Sequence, residues 1–118
     1  MNKNNDVINI PGKDALYILS EVEYILISLK NIARYYFNGI EQNVIDDKLL
    51  NSYFKETTKF IDDKNITHRL AEIRRVITEN FNTDLGDDDM DDIEREIEKI
   101  KCWEKPGARI FKTGKGEH

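Results

Sequence analysis

The chain has 118 residues, a formal net charge of −5, and 35% charged against 39% hydrophobic side chains. That suffices for one modest core and not for two independent ones, and net acidity argues against general attraction to nucleic acid or anionic membrane, leaving a basic protein as the fitting partner. The single cysteine, Cys102, excludes an internal disulfide, a multi-thiolate zinc site and a redox pair, and points to a reducing cytoplasm.

The opening stretch Met1 to Asp6 is polar, and no run approaches the roughly 18 apolar residues of a membrane span. After Pro11-Gly12, Ala15, Val22, Leu29 and Tyr36 recur every seven residues, joined by Ile18, Ile25 and Ile32 and widened by Leu19, Leu26 and Ala33. Such spacing predicts a long helix over about 13–37 with a broad apolar face. Leu16, Tyr17, Tyr24 and Ile27 fall outside that face, so this helix is expected to be central and to touch more than one neighbour. Asn38-Gly39 is the expected C-terminal stop, since both residues tolerate the left-handed conformation.

The pattern restarts with Ile45, Leu49, Leu50, Tyr53, Phe54, Phe60 and Ile61, predicting a second helix over about 43–62 with Asn43 or Asp46 as its cap. Following the polar Asp62-Asp63-Lys64-Asn65, Thr67 is the expected cap of a third helix, with Ile66 and Ala71 as a hydrophobic staple and Leu70, Ile73, Ile77 and Phe81 as the buried face. A loop around Gly86 leads to a fourth amphipathic helix carrying Met90, Ile93, Ile97, Ile100 and Trp103 and stopping before Pro106-Gly107.

The expected fold is therefore all-α: a compact bundle or irregular array of about four helices in one domain, 1–118, with a helical core over about 13–105 and a polar tail at 112–118. Val7, Ile8 and Ile10, with Ile110-Phe111, are read as short extended terminal segments, suited to a small strand pair.

Asp84, Asp87, Asp88, Asp89, Asp91 and Asp92 lie within nine residues and are followed by Glu94, Glu96 and Glu98, with Arg95 the one cation among them. Capping and the helix dipole account for one or two of these acids, and Lys99, Lys101 and Lys105 fit the opposite end of the same dipole. The surplus is read either as a solvated helix start or as an acidic docking surface that steers a basic partner. A calcium loop of the EF-hand type is excluded, because counting back from Gly86 places Phe81, Thr83 and Leu85 where acids are needed. No cofactor or metal is expected.

Tyr35 and Tyr36 end the first helix with Phe37, and Tyr35 lies off the centre of the apolar stripe, where tyrosine serves either packing or an interface. His68 has Glu72 one turn on and no catalytic companions, and nothing marks Cys102 as activated. Arg69, Arg74 and Arg75 make the third helix basic, which suits pairing with acids of a neighbouring helix better than DNA binding in so acidic a chain. No convergent set of acid, base, nucleophile or metal ligand emerges, so the chain is not expected to be an enzyme.

Among small helical bacterial proteins, the HEPN ribonucleases need an arginine four to six residues ahead of a histidine; the residues ahead of His68 are Ile61, Asp62, Asp63 and Lys64. Colicin-type immunity proteins use acids and a tyrosine pair, which Tyr35-Tyr36 resembles, but the proline-serine context that follows in that family is missing. In size, acidity and composition the whole chain resembles the immunity proteins of contact-dependent growth inhibition systems, with no shared motif. That resemblance implies an antitoxin-like role: occluding the basic active site of a cognate toxin, often a nuclease. The acids from Asp84 to Glu94, with Tyr35, are then the candidate partner-binding residues. The alternative reading is a helical interaction or regulatory module that self-associates through surplus apolar surface on the first helix.

Overall fold

The computed structural model describes residues 1–41 and 47–107, with side chains placed over 1–38 and 47–107. The described chain is all-helical. A 3-10 turn at Lys3–Asn5 precedes four helices, α1 (Gly12–Glu41), α2 (Asp47–Asp63), α3 (Ile66–Thr78) and α4 (Asp92–Ile97), and no strand is present among the described residues. Val7, Ile8 and Ile10 accordingly form no strand, and Ile110-Phe111 lies outside the described residues. Contacts divide the chain into two units, one of Met1 with Lys3–Asn82 and one of Asn2 with Thr83–His118.

In the first unit α1, α2 and α3 pack pairwise on one another as a three-helix bundle. At 30 residues, α1 is about 45 Å long. It begins where the Pro11 carbonyl accepts the Ala15 N–H at 2.9 Å, and it runs through Asn38-Gly39, the pair expected to stop it. Glycine inside a helix costs only about 1 kcal/mol relative to alanine, which the rest of a long, strongly patterned helix readily offsets. The expected caps of α2, Asn43 and Asp46, lie outside the described residues.

An aromatic seam joins α1 to α2, with Tyr36 from the apolar stripe and Tyr24 and Phe37 from outside it. Tyr24 meets Phe60 at 5.9 Å between ring centroids, and Tyr36 and Phe37 each meet Tyr53 at the same separation. On the other side of Tyr24, the Arg69 guanidinium from α3 lies 4.4 Å above the ring, while its Nη1 donates to both oxygens of Glu21 at 3.1 and 2.8 Å. The expected pairing of an α3 arginine with a neighbouring helix's acid is met by Arg69, whereas Arg75 pairs locally with Glu72 of its own helix and with Glu79, the residue that caps its C-terminus. Tyr24 thus touches both neighbours of α1, which contacts more than one helix as expected, but in a bundle packed pairwise none of the three helices is central.

Two sequence expectations fail at α3. Its N-cap is Asn65, not Thr67, and it offers no side-chain cap: Asn65 sits in the left-handed region at φ 51°, so the chain turns sharply out of α2 and Ile66 enters as the first helical residue. Ile66 is buried together with Ile73 and Val76, whereas Leu70 is exposed. The inward face is rotated towards the Arg69 and Val76 side because the earlier start places Ile66 itself in the core. The helix then ends at Thr78, short of Phe81, with the Asn80 side chain donating back to the Val76 carbonyl at 2.8 Å.

Asn5 closes the first unit. It is the buried polar residue of the described chain, donating from Nδ2 to the Asn82 carbonyl at 2.9 Å and accepting the Asn82 N–H on Oδ1 at 2.7 Å. One side-chain amide thereby satisfies both backbone groups of a residue just past α3, as a neighbouring strand would.

The second unit contains α4, which covers Asp92–Ile97 and is far shorter than the helix expected to reach the end of the apolar pattern. Ile97, Ile100 and Trp103, expected on its buried face, are exposed. The periodicity is real in the sequence, but within the described residues nothing covers those positions, and an isolated helix without a packed face is marginal in water.

Candidate functional site

The acidic segment has an organiser, Arg95. Its Nε and Nη2 donate to the two oxygens of Asp88 at 2.8 Å each, Nη1 donates to Asp92 at 2.8 Å, and Nη2 also reaches the Met90 carbonyl at 3.0 Å. The planar fork of the guanidinium matches a carboxylate edge to edge, the strongest common form of ion pair. Hydrogen bonding to Arg95 holds the Asp88 carboxyl well below the usual carboxylate range, and Asp88 with Asp92 raises the Arg95 guanidinium further still.

The loop backbone is shaped around this clasp. The Gly86 N–H donates to the Met90 carbonyl at 2.8 Å and the Asp89 N–H to the Gly86 carbonyl at 3.1 Å, with Asp89 left-handed at φ 59°. The Met90 N–H is taken by Asp88 Oδ1 at 3.1 Å. A Cβ at position 86 would lie 2.8 Å from Arg95 Nη2 and 3.2 Å from Asp88 Oδ1, so the Arg95 side chain would have to shift to admit one. Asp91 then caps α4: its carboxylate accepts the Glu94 N–H at 2.8 Å while Glu94 accepts the Asp91 N–H at 3.1 Å, the reciprocal capping box.

Of the expected partner-binding acids, Asp84 is exposed at the start of the loop, and the other six fall into two groups. Asp88, Asp91 and Asp92 are engaged in the clasp and cap, and Glu94 completes the box. Asp87 and Asp89 are exposed and have no ion-pair or hydrogen-bond partner for their side chains among the described residues. Exposed Leu85, Ile97, Ile100 and Trp103 belong to the same unit, Trp103 being 80% exposed. The lysines expected to complement the end of the last helix, Lys99, Lys101 and Lys105, fall beyond α4, and Lys99 pairs instead with Glu96 at 3.1 Å.

Tyr35 belongs to the first unit. It is 76% exposed and stands edge-on to Tyr36, with ring centroids 4.9 Å apart. Tyr36 is buried and its hydroxyl donates to Glu56 at 3.2 Å; burial, then this bond, raises the phenol above its ordinary value. The two tyrosines, with Asn31, Ile32 and Glu56, line a shallow groove of about 280 Å³. His68 is exposed, and Glu72, its expected surface partner, is taken by Arg75 at 3.0 Å.

Arg95 and Gly86 were missed by reading for acids alone. The signal was present: a lone arginine three residues after Asp92 and seven after Asp88, with D-x-x-E spacing at Asp91 and Glu94. Among the described residues no group of three or more His, Cys, Asp or Glu is arranged to hold a metal ion, and no helix is long and apolar enough to cross a membrane. Comparison with protein-family models, with curated proteins and with solved structures finds no match for this chain.

Proposed function

We propose that this protein is a binder rather than a catalyst, an immunity-like antitoxin that neutralises a basic cognate toxin domain, such as a nuclease, by covering its active site with the acidic loop before α4. The observation that supports this reading is the division of labour within the aspartate run. Arg95 and the capping box fix the loop while Asp87 and Asp89 stay exposed, in a unit that also exposes Leu85, Ile100 and Trp103. Apolar anchors with a charged rim are what a protein interface needs, and prior ordering lowers the entropy lost on docking. The repulsion among the outer acids is relieved when a basic surface approaches, which also accelerates encounter.

The test is coexpression with the toxic reading frame of the same locus, scored by growth rescue, and titration of the two purified proteins. The double variant Asp87→Asn, Asp89→Asn removes two charges without touching Arg95, and asparagine tolerates the left-handed conformation of position 89. The expected result is an affinity that falls steeply with salt and drops roughly tenfold in the double variant. Unchanged affinity and rescue in that variant rule the loop out as the interface.

A further inference from the structure

α1 carries a second uncovered surface, independent of the acidic loop. Leu16, Leu19, Leu26, Ile27 and Phe37 are each between 46% and 66% exposed, and at helical spacing they fall within an arc of about 100°. Phe37 touches Tyr53 of α2 with part of its ring, and the other α2 and α3 contacts use positions of α1 outside the arc, including Glu21, Tyr24 and Tyr36. Leu19 and Leu26 belong to the apolar stripe that the sequence alone assigns to the core. Set in the same exposed arc are three charges, Glu23, Lys30 and Arg34, none with an ion-pair partner among the described residues.

The order of these residues is self-complementary under reversal. Glu23 precedes the point between Leu26 and Ile27 by as many residues as Lys30 follows it, and Leu16 and Phe37 are likewise equidistant from that point. We propose that α1 pairs with α1 of a second copy of this chain, antiparallel, about a two-fold axis passing between Leu26 and Ile27. Each Glu23 then faces Lys30 of the other copy, each Leu16 faces Phe37, and Leu26 and Ile27 meet across the axis, while each Leu19 faces Arg34 of the other copy, whose charge falls one turn from Glu23. Leu16 to Phe37 spans about 32 Å of helix, so the seam runs along most of α1. A parallel pairing in register sets Glu23 against Glu23 and Lys30 against Lys30, which is repulsive. The charges thus select both the partner and its direction, as an isologous interface requires.

Light scattering coupled to size-exclusion chromatography on the full chain, over about 1–200 μM, is expected to give twice the 13.9 kDa of one chain. Glu23→Lys alone and Lys30→Glu alone each place like charges opposite one another and weaken dimerisation roughly tenfold or more. The double exchange restores it. Helical circular dichroism, unchanged in all three variants, shows that folding is not the cause. A monomer across the whole range overturns the proposal, and so does a dimer indifferent to the single exchanges or not restored by the double one. Failure here leaves the toxin-binding reading intact, because the variants lie on α1 and leave Asp87 and Asp89 untouched.

Discussion

Arg95 grips Asp88 by two hydrogen bonds of 2.8 Å each, and that pair decides which aspartates of the acidic run face outward. Replacing Arg95 with glutamine removes the fork and leaves Asp87, Asp88, Asp89 and Asp92 to repel one another. Amide protection at Asp89 and Met90 is expected to fall roughly tenfold by hydrogen exchange, with the α1–α3 amides unaffected.

Acid acts on the same pair. Because the Asp88 carboxyl is depressed in the folded chain, its contribution is complete above the unfolded value of about 4 and is lost as pH falls below it towards the folded value. Loop protection should therefore hold from pH 7 to about 4 and decline below. Asp88→Asn is expected to abolish that decline, and a decline that persists in this variant assigns it to another acid.

Gly86→Ala tests the clasp without altering any charge. The added methyl meets the pinned end of Arg95 at 2.8 Å, so the guanidinium must give up part of its grip on Asp88. The loop amides are expected to lose protection in the wild-type background and much less in Arg95→Gln, which two-way hydrogen exchange resolves.

Core truncations should follow the rotated face of α3. Ile73→Ala is expected to cost about 2–5 kcal/mol in urea unfolding, the usual range for a buried isoleucine. Leu70→Ala, at an exposed position, is expected to cost well under about 1 kcal/mol. Equal losses at both sites contradict the observed burial.

Asn5→Ala leaves the N–H and carbonyl of Asn82 without their side-chain partner, and a destabilisation of about 1–3 kcal/mol is expected. Asn5→Asp keeps the acceptor but sets a buried carboxylate oxygen against the Asn82 carbonyl, so it should destabilise at least as much as Asn5→Ala in thermal or urea melts.

The helical class and the length of α1 were legible in the sequence because seven-residue recurrence is a strong local signal. Tyr36 is buried as this recurrence assigns, whereas Tyr24, outside the stripe, is the ring that touches both α2 and α3. Leu19 and Leu26 of the stripe are not buried, since periodicity reports that a face is apolar and not what covers it. Thr67 misled as a cap because the φ of Asn65 is set by the turn out of α2, a tertiary constraint. The candidate site was half visible: the acids were obvious, but which of them are spent internally depended on where one arginine could reach across a tight glycine turn. Asn5 gave no signal at all, its partner lying 77 residues away.

That separation bears on how the chain is made. Synthesis proceeds from the N-terminus, so Asn5 emerges among the first residues while Asn82, whose backbone it satisfies, comes only after all three bundle helices. The bundle cannot be latched during translation of α1 or α2. A nascent chain halted before Asn82 has cleared the ribosome should remain open to protease at its leading end, and the latch should shut as a late, single event.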